Sequence, residues 1–347
     1  MCCQMLNSSQ ILVRDSIIGP YQIALDITNR CNYRCLHCYN ASGENSVCGD
    51  ELSDDEVLSL INEVAQIKPQ NFCFCGGEPL LRIDLLTKCA SILHVAGIQN
   101  IALVSNGYYM TPTIYQMLVG AHVNNVQISL DGFTQESCYK LRQNELAFER
   151  AINALEIISA QKGNPTCSVA FCPTKYNIEE FDDVYNFCIN KGVKQLRVQP
   201  LMIIGRASKN VQAIMPSHEQ YIELIRKIYK YKENACESMF LEWGDPLDHV
   251  FRLRNAESTY AIAMNIKSNG DIEVSPYLPI TIGNVRRHSI TDYWNAGYQR
   301  IWKLPEVQKM AEDLYTVEKM NGAGNIQNSW FDADLHLDLI DDNIELG

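Results

Sequence analysis

The chain has 347 residues, a formal net charge of -12 and 20% charged residues. That acidic balance excludes a phosphate-backbone partner, which would need clustered Lys and Arg, so no nucleic acid is expected. No apolar run approaches the roughly 18 residues of a membrane span, and "MCCQMLNSSQILVRD" at the start lacks the basic-then-apolar order of a signal peptide, so no membrane and a cytoplasmic location are expected.

In chain order, "YQIALDI" (21–27) reads as a buried strand that runs into the cysteine-bearing stretch "RCNYRCLHCYN". "SDDEVLSLINEVAQI" (53–67) predicts a helix, with Ser53 and Glu56 as a capping box and Val57, Leu60, Ile61 and Val64 on one apolar face. "NFCFCGG" (71–77) predicts a strand, and "LRIDLLTKCASILHVAG" a helix closed by Gly97. Strands at 100–107, 124–132, 165–173 and 194–201 follow, with helices at about 112–121, 144–162, 178–192 and 217–232. Six strand–helix units imply a parallel sheet of the α/β class, too short for a closed eight-fold barrel and suited to an open, partial (β/α)6 barrel over about 21–235. Beyond 235 the pattern changes. "AMNIKSNGDIEVSP" (263–276) carries Asn269-Gly270 between two strands, a hairpin signal, and 290–304 predicts a helix preceded by Ser289 with Asp292. The acidic end is expected to be a solvated tail, with docking through Trp330, Phe331, Leu335 and Leu337 as the alternative. No internal repeat or low-complexity segment is present.

Fourteen cysteines in a reducing compartment are packing residues or metal ligands. Cys73, Cys75 and Cys188 read as packing. Cys31, Cys35 and Cys38 do not, because they crowd one loop after the first strand. Structural zinc takes four ligands, usually as two pairs, and the partner pair is missing; His37 or His94 could complete such a site. A [4Fe–4S] cluster on three thiolates instead leaves one iron open to a small molecule bearing an amine and a carboxylate.

The CxxxCxxC spacing directly after the first strand of a β/α series resembles the radical S-adenosylmethionine (radical SAM) enzymes, and further matches extend over about 20–210. The resemblance implies one [4Fe–4S] cluster on Cys31, Cys35 and Cys38, followed by the family's aromatic, Tyr39. It implies that Gly76, Gly77, Glu78 and Pro79 ("GGEP") meet the methionine amino group. It adds Asn106 in "SNG", Ser129 and Asp131 in "SLDG", and Arg142, with Ser129 and Arg142 toward the ribose and the carboxylate. Gln199 and Leu201, in "RVQPLMIIGRA" (197–207), belong to the stretch that contacts adenine. The chemistry implied is reductive cleavage of S-adenosylmethionine to a 5′-deoxyadenosyl radical that takes hydrogen from an unactivated C–H bond.

The segment after 263 resembles the family's C-terminal SPASM or twitch extension, with Pro276, Ile282-Gly283-Asn284 and Trp294 in place. Ser275 stands where that extension has a cysteine, and no cysteine lies beyond 236, so a single cluster is expected. The division expected is an N-terminal extension (1–20), the partial barrel (21–235) and a degenerate SPASM/twitch-like domain with an acidic tail (236–347).

This branch mostly modifies ribosomally made peptides. A peptide substrate undergoing cross-linking, epimerisation or related maturation is therefore expected, with an electron donor such as a flavodoxin or ferredoxin. The alternatives are the same chemistry on a small molecule (sugar, nucleoside or amino acid) or a non-catalytic metal-binding protein. No separate leader-binding domain is expected in the 30 residues before Cys31. The body or a separate leader-peptide-binding protein would then hold a peptide. Cys172 and Cys236 are candidate hydrogen donors against a packing alternative. Asp245, Asp248 and His249 are candidate substrate contacts against a plain loop, and Cys48 is not counted as a ligand.

Overall fold

The computed structural model describes residues 18–44, 50–161, 163, 165–233, 239–244, 252, 254–257, 259–313 and 335–346. The elements are β1 (Gln22–Thr28), α1 (Asp54–Ile67), β2 (Asn71–Gly76), α2 (Ile83–Val95), β3 (Asn100–Ser105), α3 (Pro112–Gly120), β4 (Asn125–Ser129), α4 (Gln135–Arg142), α5 (Ala147–Ser159), β5 (Thr166–Phe171), α6 (Phe181–Lys191), β6 (Gln195–Val198), α7 (Arg206–Ile214), α8 (His218–Glu233), β7 (Phe240–Trp243), β8 (Ala263–Ile266), β9 (Asp271–Ser275), β10 (Leu278–Asn284), α9 (Ile290–Asn295), α10 (Pro305–Asp313) and β11 (Leu335–His336).

Among the described residues, all strands join one 11-stranded sheet in the order β11-β10-β9-β8-β1-β2-β3-β4-β5-β6-β7. From β1 to β7 every neighbouring pair is parallel, and β8 adds to the other side of β1, also parallel. The six expected units form a TIM-like partial barrel. β7, just past residue 235, extends it by one parallel strand, and the β8–β9–β10 meander carries the same sheet into the C-terminal part.

Side chains alternate across each strand. Outward, Ile23, Leu25, Ile27, Phe72, Phe74, Val126, Ile128, Leu196 and Val198 are buried under the helices. α1 answers with Val57, Leu60, Ile61, Val64 and Ile67, and its Ser53–Glu56 capping box forms as expected. Each such side chain contributes roughly 1.5–3 kcal/mol by leaving water. Inward, the same strands present Ala24, Asp26, Gln127, Ser129, Arg197 and Gln199 to a cavity of about 790 Å³. Small and polar inner residues leave the barrel hollow where a closed barrel would be packed with branched side chains.

The sequence reading lacked α4 and α7. α4 is mostly polar and buries only Ser137, Cys138, Leu141 and Arg142; α7 has nine residues and buries only Ala207 and Ile214, so each carries only a short apolar signal. The helix expected over 290–304 ends at Asn295, and a 3₁₀ turn, Tyr298–Lys303, follows.

The acidic end departs from the solvated-tail expectation. β11 pairs with β10, and Leu339 and Leu346 are buried. Asp338 is buried too, accepting a hydrogen bond from the Tyr293 hydroxyl at 2.8 Å and pairing with Arg287 at 2.5 Å. Apolar residues at alternate positions carry this acidic segment onto the body. Trp330 and Phe331 lie outside the described residues. No helix among the described residues is long and apolar enough to cross a membrane.

Candidate active site

Cys31, Cys35 and Cys38 sit on the loop after β1 and all line the cavity. Backbone amides point at two of the sulfurs: Tyr33 N–H donates to Cys31 Sγ and Ser42 N–H to Cys38 Sγ, each at 3.4 Å. The Asn106 side-chain amide lies 3.9 Å from Cys31 Sγ and donates to Asn32 Oδ1 at 2.9 Å. Burial pushes the Cys31 thiol up to about 11 and the Cys35 thiol up to about 12, so thiolates there require a compensating cation.

A single zinc does not suit the three sulfurs. At 2.3 Å per Zn–S bond, the sulfurs of one ion lie within about 4 Å of one another. Among the described residues the one trio of metal-ligating atoms mutually within 4.8 Å is His288, Asp338 and Asp341, on the far part of the chain. The loop cysteines are spread more widely, as ligands to separate irons of a cluster must be. His37, a candidate fourth ligand, directs Nε2 at Asp131 (3.0 Å), and His94 stacks on His122 with centroids 3.6 Å apart.

The glycines of "GGEP" bring β2 against the start of the cysteine loop. Gly76 has φ +132°, and a Cβ on Gly77 would lie 2.3 Å from the Arg30 carbonyl. Gly77 N–H donates to Thr28 O at 2.8 Å and Glu78 N–H to Arg30 O at 2.9 Å. Both glycines line the cavity, but Glu78 and Pro79 do not. Glu78 is fully buried and accepts from Leu80 N–H (3.0 Å), Ser105 Oγ (2.9 Å) and Asn106 N–H (2.8 Å). Burial pushes its carboxyl up to about 6 despite those bonds. Its side chain ties β2 to the end of β3, and Pro79 opens the 3₁₀ turn Pro79–Arg82.

Asp131 and Arg142 form a second buried unit. Burial alone would raise the Asp131 carboxyl, but the Arg142 guanidinium, His37 and the Cys172 amide (2.7 Å) hold it well below the usual carboxylate range. Arg142 is among the residues lining the cavity, and its buried Nε has no hydrogen-bond partner. Ser129 also lines the cavity, as do Tyr39 and Gln199. Gln199 Nε2 donates to the Tyr277 hydroxyl at 2.7 Å, which brings the β9–β10 connection to the barrel mouth. Leu201 and Cys172 pack in an apolar cluster with Leu36 and Leu141. Neither is among the residues lining the cavity, so Cys172 is placed as a packed thiol. Cys48, Cys236, Asp245, Asp248 and His249 lie outside the described residues.

Residues 25–188 match the family model described as the Radical SAM superfamily. Residues 25–188 form a radical SAM domain. The "AdoMet-dependent heme synthase" of Methanosarcina barkeri is 27% identical over 314 residues, 84% of this chain and 87% of the relative. The "PqqA peptide cyclase" of Rhizobium meliloti is 24% identical over 310 residues, 85% and 80% of the two chains. Among solved structures, Streptococcus suis SuiB bound to S-adenosylmethionine has the same fold, with TM-score 0.67, 13% identity and coverage of 88% of this chain and 71% of that one. The protein is accordingly an enzyme, and the cofactors of its family are a [4Fe–4S] cluster and S-adenosylmethionine.

The residues of this radical SAM domain fit both groups. Three thiols too far apart for one ion face one cavity, and amide donors aim at the sulfurs. Arg142 brings a guanidinium to the cavity lining, which suits an anionic group such as a carboxylate.

Two further residues shape this loop and were not singled out in the sequence. Glu51 accepts from the Thr28 hydroxyl (3.0 Å) and from the backbone N–H groups of Asn29 and Arg30, fixing the strand-to-loop exit. Arg206, at the start of α7, donates to the carbonyls of Cys35 (3.0 Å) and Ser42 (2.8 Å) and pairs with Glu44 (2.9 Å). Its partners are all remote in sequence, and no local pattern marks it. Cys73 and Cys75, read from the sequence as packing residues, line the cavity, because Phe72 and Phe74 take the outward positions of β2.

Proposed function

We propose that this enzyme applies radical SAM chemistry to a ribosomally made peptide, with Cys31, Cys35 and Cys38 as the cluster ligands. The cofactors supply a carbon radical strong enough to take hydrogen from an unactivated C–H bond. The chain's residues do the rest. Tyr33 and Ser42 amides neutralise sulfur charge. The bends at Gly76 and Gly77 open backbone groups to the methionine end, Arg142 holds the carboxylate, and Ser129 and Gln199 contact the nucleoside. A flavodoxin or ferredoxin is the class of electron donor required.

The observation that carries this reading is the shared cavity. At about 790 Å³ it runs from the three cysteines past Ser129 and Gln199 to Tyr277. That is the upper range of small-ligand sites, enough for the cofactor and one substrate residue together. Relatives named PqqA peptide cyclase and mycofactocin maturase support a peptide substrate. Residues from about 263 onward are the degenerate SPASM/twitch-like part. Ser275, its hydroxyl 3.3 Å from Tyr277 N–H, stands in the cysteine's place and leaves a single cluster.

Two relatives named AdoMet-dependent heme synthase favour a second reading, the same chemistry on a small molecule. Anaerobic reconstitution, iron counting and dithionite-driven cleavage of S-adenosylmethionine test the shared part. A gene for a short precursor peptide beside this one, and release of 5′-deoxyadenosine that rises with that peptide, would support the first reading. Stimulation by small molecules alone would replace it with the second.

A further inference from the structure

Cys73 and Cys75 stand at i and i+2 on β2, so both side chains leave the same face of the strand. That face lines the cavity shared with Cys31, Cys35 and Cys38. The two sulfurs are 3.4 Å apart, and both thiols are only partly buried. In register, Cys73 lies between Ala24 of β1 and Ala102 of β3, and Cys75 lies beside Asp26. Small neighbours leave the sulfurs open to whatever the cavity holds. A packing role is filled elsewhere on the strand, by Phe72 and Phe74.

We propose that Cys73 and Cys75 are a hydrogen-donating dithiol, which returns a hydrogen atom to a carbon radical in the cavity and closes to a disulfide. This rests on the radical reading of the site above. In the step, one S–H bond breaks and a C–H bond forms, leaving a thiyl radical. The neighbouring thiol gives its proton to solvent, and the two sulfurs join with one electron in excess. That electron passes to an oxidised iron–sulfur centre of the class this family carries. A small dithiol reductant then restores both thiols with two electrons and two protons. Residues i and i+2 of a strand are about 6.6 Å apart at Cα, at the upper end of the disulfide range, and their Cβ atoms must draw in to about 4.5 Å, so closure strains the strand and leaves the bond readily reduced. The consequence for the substrate is exchange or inversion at a C–H carbon, with no new cross-link.

The test uses the reconstituted full chain with S-adenosylmethionine and dithionite in D2O, without substrate. The 5′-deoxyadenosine should carry one deuterium drawn from exchanged S–D groups, and the labelled fraction should fall at least fivefold in the double variant C73S/C75S. An unchanged labelled fraction would overturn the dithiol while leaving the radical reading intact. No deoxyadenosine from the wild-type chain would overturn both. A second readout needs no cluster and no variant. The native chain is treated with glutathione disulfide, alkylated and digested. The peptide holding Cys73 and Cys75 should be two hydrogens lighter and unalkylated. Two freely alkylated thiols there would sink the proposal even if C73S/C75S failed to fold.

Discussion

The Arg206 guanidinium donates to the carbonyl of Cys35 at 3.0 Å across 171 positions of sequence. Its own backbone N–H donates to the Cys38 carbonyl at 2.9 Å, and its Nη2 to the Ser42 carbonyl at 2.8 Å. Gly205 permits this approach, since a Cβ there would lie 2.1 Å from the Tyr39 carbonyl. One residue at the start of α7 thus clamps the loop that presents the cysteines. R206K keeps the charge but not the planar fork. Iron loss to a chelator should be about tenfold faster in R206K, which corresponds to about 1.4 kcal/mol of loop stabilisation. Equal rates would remove the clamp.

Each of C31A, C35A and C38A should hold far less iron than the roughly four atoms per chain of an intact cluster. Deoxyadenosine formation should fall to background in all three. Full activity in any one would exclude that thiol as a ligand.

Gly77→Ala places a methyl 2.3 Å from the Arg30 carbonyl and 2.7 Å from the Asn29 carbonyl, both backbone atoms that cannot step aside. A destabilisation of about 3 kcal/mol or more is expected, read from urea midpoints. A loss under about 0.5 kcal/mol would show that the β2 end is not held against the cysteine loop.

Glu78 gives a pH signature. Its carboxyl is pushed up to about 6 by burial from an ordinary value of 4.5. The folded state therefore binds the proton more tightly than the unfolded one. Its contribution is fully present below about 4.5 and is lost as pH rises through 6, by about 2 kcal/mol in total. E78Q lacks this titration. Wild type should gain stability relative to E78Q between pH 8 and pH 5 in paired denaturation curves. A pH-independent difference would show that Glu78 is not the titrating group.

Arg142 is paired with Asp131 and is among the residues lining the cavity. R142K should raise the Kd for S-adenosylmethionine about tenfold or more, since a hydrogen bond to a charged group contributes about 1.5–3 kcal/mol. Calorimetry on the reconstituted chain measures it. An unchanged Kd would place the carboxylate elsewhere.

The parts legible in the sequence are those written in local pattern. The period-2 strands from Gln22 to Val198, the Ser53–Glu56 cap and the Asn269-Gly270 hairpin all recur where the spacing put them. The three cysteines were legible because three thiols in eight residues have no packing explanation. The Glu78 side chain was less so: a strand-end motif shows that a carboxylate is present, not which way it turns. Buried among Leu80, Ser105 and Asn106, it braces the site from behind.

The sequence by itself determined the first six strands, most of the helices between them, their parallel order and the loop that gathers Cys31, Cys35 and Cys38, because hydrophobic period and residue chemistry are local properties. Only the tertiary structure decided which strand face became the cavity. Alternation assigns Cys73 and Cys75 to one face of β2 but does not say whether helices or empty space lie opposite, and closure of the sheet around small inner residues settles that. The same holds for Arg206 and for the acidic end carrying Asp338. Each is defined by partners far along the chain, and such contacts exist only once the sheet has brought them together.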